Sequence, residues 1–94
     1  MTLSPPVRAA VLEVVRLLRD PERHIHVDSI GWLIVDELGL EAYRDTAMRP
    51  LEQVRAALGL PSIPGALEGW ARGKTREEVA QALERLAPPE SIVR

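Results

Sequence analysis

The 94-residue chain contains no cysteine and no phenylalanine. Without cysteine it has no disulfide framework, no thiol nucleophile and no Cys-based zinc site. Aromatic residues make up only 3% of the chain, so Leu, Val and Ala must fill most of the core. The longest stretch without a charged residue, 56–67, contains two prolines and is too short to form a transmembrane helix. We therefore predict neither a disulfide-stabilised fold nor a membrane partner.

The charge of the chain is nearly balanced, with 12 basic and 14 acidic residues and a formal net charge of −2. This balance argues against a protein that coats nucleic acid or an anionic membrane by charge alone. The first residues show no basic stretch before an apolar one, so we expect no signal peptide and a cytoplasmic location. An apolar fraction of 46% predicts a packed core, and the length predicts one domain over residues 1–94.

The first predicted helix begins after Ser4 and ends before Pro21. Serine is a favoured N-cap, and the two prolines that follow it suit a first turn. The residue before a proline is driven out of the helical conformation, which explains the end. The apolar face has helical spacing and consists of Val7, Val11, Val14 and Leu18. Leu12, Val15 and Leu17 widen it, so more than one neighbouring element is needed to cover it.

A second helix is predicted between a cap at Asp28 or Ser29 and a stop at Gly39. Its nearly continuous apolar run, 30–35, predicts the most buried helix of the domain. A third helix carries Pro50 in its first turn and ends at Gly59, with an inner face formed by Ala47, Leu51, Val54 and Leu58.

The segment 61–74 permits two interpretations. Ser62 can cap a short helix whose inner face is Ile63, Leu67 and Trp70, or the segment can be a shortened β-wing. The last helix has a clear start, because Thr75 and Glu78 form the pattern of a capping box. Together these patterns predict an all-α single domain of four to five short helices. It is either an orthogonal bundle or a winged-helix-like fold with minimal strand content.

Three residues in the connection after the first helix have the spacing of a metal site. In an extended segment His24, His26 and Asp28 point to one side, and two imidazoles with a carboxylate suit Zn, Fe or Ni. Asp28 is equally suited to cap a helix, and histidines in a loop are commonly solvated. Metal binding therefore stays an alternative, and we predict no cofactor.

The chain offers little chemistry for catalysis. It has no Ser-His-Asp arrangement, no glycine-rich phosphate loop and no HExxH motif. Two adjacent carboxylate pairs occur, at 36–37 and at 77–78. Neighbouring residues on a helix point about 100° apart, so neither pair forms a dyad. We predict that the protein is not an enzyme, and no small-molecule substrate is evident.

Residues 24–60 contain a His-apolar step, a predicted helix, the sequence Thr-Ala-Met-Arg-Pro-Leu at 46–51 and a Leu-Gly-Leu turn at 58–60. This order of features resembles the winged-helix DNA-binding half of the ferric uptake regulator family. In that family the equivalent segment is a recognition helix. The resemblance implies that Thr46 and Arg49 contact phosphates or bases of DNA.

Local charge adds to this alternative. Arg44, Arg49 and Arg55 outnumber the acidic residues around them, and Arg72, Lys74 and Arg76 form a second small basic cluster. A DNA-binding regulator that uses Arg44, Thr46, Arg49 and Arg55 is therefore one hypothesis. The plain alternative is that these arginines are solvated and that their apolar stems cover the core.

The favoured hypothesis is a protein–protein interaction module or a homodimeric adaptor or regulator. Trp32 and Trp70 are the only tryptophans, and tryptophan is enriched at interface hot spots. Symmetric dimers are the commonest oligomers, so a second copy of the chain is an expected partner beside another protein. Both tryptophans can instead fill a core that has no phenylalanine.

Overall fold

The computed structural model describes residues 3–39 and 48–87, apart from the side chains of residues 48–50. These residues form five α-helices and no β-strand, which confirms the all-α prediction. The helices are α1 (Pro5–Leu18), α2 (Ile30–Leu38), α3 (Met48–Ala57), α4 (Ala66–Ala71) and α5 (Arg76–Leu86), and a 3₁₀ turn, Val27–Ser29, precedes α2. No helix in this part of the chain is long and apolar enough to cross a membrane.

Helix α1 forms the centre of the domain and packs against both α5 and α2. Its buried residues are Val7, Ala10, Val11, Val14, Val15, Leu17 and Leu18. Helix α2 buries only Ile30, Ile34 and Val35, so the prediction that α2 is the most buried helix is wrong. An apolar run does not show how many neighbours a helix has. The broad face of α1 is covered on two sides, whereas α2 leaves Trp32 exposed.

The ends of α2 and α3 lie where the sequence predicts them. Ser29 precedes α2 and Gly39 follows it with φ of +98°, a conformation that favours glycine. Helix α3 contains Pro50 in its first turn, and Gly59 follows with φ of +75°. The start of α1 is tied to α3 as well, because the Ser4 backbone N–H donates to Oε1 of Gln53 at 2.8 Å.

Helix α4 is shorter than predicted and begins later. Gly65, with φ of +76°, occupies the N-cap position in place of Ser62. Ile63 is 59% exposed, so its assignment to an inner helix face is wrong. The reason is local, because Pro64 drives the residue before it out of the helical conformation. Leu67 and Trp70 do pack against the core, as predicted.

Helix α5 begins with the predicted capping box. The Thr75 side chain accepts from the backbone N–H of Glu78 at 3.1 Å, and the Glu78 carboxylate accepts from the backbone N–H of Thr75 at 2.8 Å. The inner face of α5 is Val79, Ala80 and Leu83, all fully buried. The start of α5 is therefore determined locally, and its face joins the core around α1.

Two arginines connect the end of α1 to α5. The Arg76 guanidinium donates to the carbonyl oxygens of Leu17, Leu18, Asp20 and Arg23 at 2.7–3.0 Å. The last carbonyls of a helix have no partner within it and carry partial negative charge. Arg76 therefore caps the C-terminus of α1 from the first turn of α5.

Arg19 makes the second connection through a bidentate pair with Glu77. Its Nε and Nη2 donate to the two Glu77 carboxylate oxygens at 3.1 and 2.9 Å, and its Nη1 donates to Glu84 at 3.0 Å. The hydrogen bonds from Arg19 hold the pKa of the Glu77 carboxyl below its usual value of 4.5. Desolvation acts in the opposite direction, and the charge of Arg19 and a hydrogen bond from Gln81 lower the pKa further. The Glu77 carboxylate thus favours the folded state when it is ionised.

The stability of the domain is expected to depend on this pair at acid pH. A lowered folded-state pKa contributes stability above the unfolded-state pKa, near 4.5, and the contribution is lost as the pH falls through the lower, folded-state value. Urea midpoints between pH 7 and pH 3 should therefore fall less steeply in Glu77→Gln than in the wild type. Glu22→Gln is the control, because the Glu22 side chain is exposed. If the urea midpoint of Glu77→Gln falls between pH 7 and pH 3 as steeply as that of Glu22→Gln, the prediction is contradicted.

Candidate interaction groove

A groove with a volume of about 580 Å³ lies where the 3₁₀ turn, α2, α3 and the start of α4 meet. A volume of this size is within the range of pockets that hold ligands in other proteins. The lining residues are Asp28, Gly31, Trp32, Val35, Leu51, Glu52, Arg55 and residues 62–68. The groove is thus built by segments that are distant in sequence and that the core around α1 brings together.

Gly31 marks the point where these segments approach each other. A Cβ atom placed on Gly31 would lie 3.7 Å from Cδ2 of Leu67 and 3.8 Å from both terminal carbons of Leu51. Leu51 belongs to α3 and Leu67 to α4, so α2, α3 and α4 converge beside this glycine. A methyl group at this position would therefore be in ordinary van der Waals contact with both leucines.

Two large apolar side chains of the groove are exposed to solvent. Trp32 is 63% exposed and Ile63 is 59% exposed, and these are the two exposed large apolar residues among those the structure describes. A pair of this kind in one concave surface is typical of a binding site, whereas scattered single residues carry no such meaning. The groove thus offers an apolar contact area that the described residues leave exposed.

The two tryptophans named by sequence analysis have different environments. Trp32 lies in the groove, as a predicted interaction residue would. Trp70 is partly buried and packs against the core, and the Lys74 ammonium lies 5.2 Å from the centre of its ring. This distance is typical of a cation–π contact. The structure therefore brings Trp32, and not Trp70, to the candidate site.

Arg55 lines the groove, but its guanidinium is engaged within the chain. Its Nη1 donates to the Leu60 carbonyl oxygen at 2.6 Å, and its Nε donates to Oε1 of Glu52 at 3.1 Å. Only 18% of the Arg55 side chain is exposed. The cation therefore stabilises the end of α3 and partly neutralises Glu52.

The remaining charges of the groove are carboxylates. Asp28 lies 4.0 Å from the Arg72 guanidinium, and both side chains are well exposed, so water screens this pair. Glu68 is exposed in the first turn of α4, and the described residues provide no ion pair for it. The edge of the apolar area thus has an acidic character.

The predicted DNA-binding residues are mostly outside the described part of the chain. Arg44 and Thr46 lie outside it, as does the Arg49 side chain. In the second basic cluster, Arg76 holds backbone carbonyls and Lys74 contacts Trp70. These contacts do not support a DNA surface, and DNA binding stays a prediction.

The metal-site hypothesis gains no support from the fold. His24 and His26 are exposed in the connection between α1 and the 3₁₀ turn, and Asp28 lies within that turn, so the three do not form one extended segment. Among the residues that the structure describes, no group of three or more potential metal ligands lies close enough to hold an ion.

Sequence reasoning missed Ile63 and Gly31 as parts of the site. Pro61 and Pro64 on either side of Ile63 were a signal that it lies in a turn, but no sequence feature showed that it is exposed beside Trp32.

Comparison of the chain with protein-family models, curated proteins and solved structures finds no match.

Proposed function

We propose that this chain is a small, non-enzymatic, cytoplasmic binding protein that recognises another protein through the groove around Trp32. One observation carries the proposal: Trp32 and Ile63 are both exposed, and both line the same concave surface. Burial of a tryptophan in an interface removes a large apolar area from water and makes it a common hot spot. The groove thus supplies an anchor site rather than a reactive centre.

Of the four residues that the DNA hypothesis names, the structure describes the side chain of Arg55 alone. A DNA-binding surface needs cations that are available to phosphates, and each such contact adds to the salt dependence of binding. Arg55 and Arg76 donate to carbonyl oxygens of the chain itself. These contacts favour the protein–protein interaction hypothesis over the DNA hypothesis, and a titration with random duplex DNA at low and at physiological salt tests the latter.

The groove predicts that peptide ligands depend on Trp32 and Ile63. Peptides selected from a random display library on the full chain should lose at least about tenfold in affinity with Trp32→Ala, because truncating a hot spot costs more than about 1.4 kcal/mol. Ile63→Ala should weaken the same peptides in the same direction. Fluorescence polarisation with the selected peptides measures both effects.

Glu37→Ala is the matched control, since Glu37 is exposed on the same helix as Trp32 and does not line the groove. It should leave affinity within about twofold. Circular dichroism confirms that each variant is folded. Sedimentation of the wild type and of Trp32→Ala tests the homodimer alternative. If the wild type self-associates and Trp32→Ala does not, the groove binds a second copy of the chain. Selected peptides that bind Trp32→Ala as well as the wild type would contradict the proposal.

A further inference from the structure

We propose that the segment bound in the groove is cationic: a stretch of another protein with an apolar anchor and Lys or Arg residues beside it. This inference rests on the proposed function and specifies the chemistry of the partner. The anchor contacts Trp32 and Ile63, and the basic residues contact the carboxylates at the edge of the groove.

Among the described residues that line the groove are three carboxylates and one guanidinium. The carboxylates belong to Asp28, Glu52 and Glu68, and the guanidinium belongs to Arg55. The three acids lie on different elements, in the 3₁₀ turn, α3 and α4 respectively. The acidic residues of the groove are therefore contributed by three separate elements.

The cations that the structure describes near the groove do not cancel this field at the surface. Arg55 donates to Glu52 and to the Leu60 carbonyl oxygen, and most of its side chain is covered. Arg72 approaches Asp28 only to 4.0 Å, with 69% of its side chain exposed, so a ligand cation can compete for Asp28. Glu68 is exposed and has no ion pair among the described residues. Asp28 and Glu68 are thus the carboxylates available to a ligand.

The same charges disfavour a second copy of the chain as the occupant. In a two-fold symmetric dimer the same surface faces itself, so an acidic edge would meet an acidic edge. Like charges brought together in an interface cost free energy, whereas opposite charges steer association and set specificity. An acidic protein segment would meet the same repulsion. A cationic segment satisfies both the apolar and the charged parts of the groove.

The described residues also limit the binding mode. They contain no β-strand, so they offer no sheet edge to which an extended peptide could add as a strand. The convergence of α2, α3 and α4 resembles the grooves that hold an amphipathic helix through anchors at i, i+3 or i+4 and i+7. An amphipathic helix bound in this way carries its basic residues beside its own apolar face, where they can contact the carboxylates of Asp28 and Glu68.

Two variants with the same change in net charge test the inference on the full chain. Glu68→Lys reverses a charge at the groove, and Glu22→Lys reverses an exposed charge between α1 and the 3₁₀ turn, outside the lining residues. Random peptides are selected on the wild type, and those that also bind Trp32→Ala are discarded. We expect the remaining peptides to be net positive, with Lys or Arg beside the apolar positions.

For these peptides, Glu68→Lys should weaken binding by about tenfold and Glu22→Lys by less than about twofold, because screening at physiological salt confines the effect to nearby charges. Neutral or acidic peptides that still require Trp32 would overturn the cationic assignment and leave the groove as a protein-binding site. An equal loss in both charge variants would show attraction to the whole molecule and would also overturn it. If no peptide requires Trp32, the inference and the proposed function fail together.

Discussion

Replacement of Arg76 by alanine is expected to lower the free energy of unfolding by about 2 kcal/mol, a large effect for a residue near the surface. Its guanidinium donates four hydrogen bonds to carbonyl oxygens at and beyond the end of α1. Alanine leaves the carbonyl oxygens of Leu18 and Arg23 without this donor, and Leu18 is itself buried. The carbonyl oxygens of Leu17 and Asp20 lose one of two donors, because each also accepts from a backbone N–H. It also removes a cation from the negative end of the helix dipole.

Two further variants isolate the cause of this loss. Arg76→Lys keeps the charge but replaces the planar guanidinium, with its several N–H donors, by a single ammonium. It should therefore recover less than half of the free energy of unfolding that Arg76→Ala loses. Arg85→Ala removes an exposed guanidinium from the same helix and should change the free energy of unfolding by less than about 0.5 kcal/mol. Urea titrations followed by circular dichroism measure all three. Equal effects of Arg76→Ala and Arg85→Ala would show that the carbonyl contacts contribute little.

The largest loss of stability is expected for Leu83→Ala, at about 2–5 kcal/mol. Leu83 has no exposed surface and lies in the core to which α1 and α5 both contribute. The substitution removes buried apolar atoms and leaves a cavity that the neighbouring helices only partly fill. Domains of this size commonly have a free energy of unfolding of about 5–15 kcal/mol, so the folded population can fall measurably.

Leu86→Ala is the matched control on the same helix. It removes the same atoms from a residue that is only partly buried, so it should cost about 1 kcal/mol. Thermal and urea unfolding of the two variants give the comparison. If Leu83→Ala is unfolded at all urea concentrations, Leu83→Val provides a measurable intermediate loss. If Leu83→Ala lowers the free energy of unfolding by no more than Leu86→Ala does, Leu83 does not belong to the core.

Part of the candidate site is accessible to sequence reasoning. Trp32 was predicted as an interaction residue from its rarity and chemistry, and it lines the groove. The same reasoning assigned Trp70 equally, yet Trp70 packs on the core beside Lys74. Composition gives both tryptophans the same probability of exposure. Only the position of each on a packed helix separates them.

Most beginnings and ends of the described helices follow from short-range chemistry and were predicted from the sequence, whereas α4 begins at Gly65 instead of Ser62. Proline at the start of α1, glycine after α2 and α3, and the capping box of α5 each act within one turn of the chain. The all-α class and the inner faces of α1 and α5 follow in the same way, because periodic apolar residues must be buried.

Tertiary packing decides which helix is central and which surface stays open. Helix α1 has neighbours on two sides, and the Arg76 contacts join residues more than fifty positions apart. The groove likewise depends on α2, α3 and α4 meeting at Gly31. Contacts between distant segments are not encoded in any local pattern, since they depend on how all the apolar faces are covered at once. For that reason the helices were predictable one by one, while the exposure of Trp32 beside Ile63 was not.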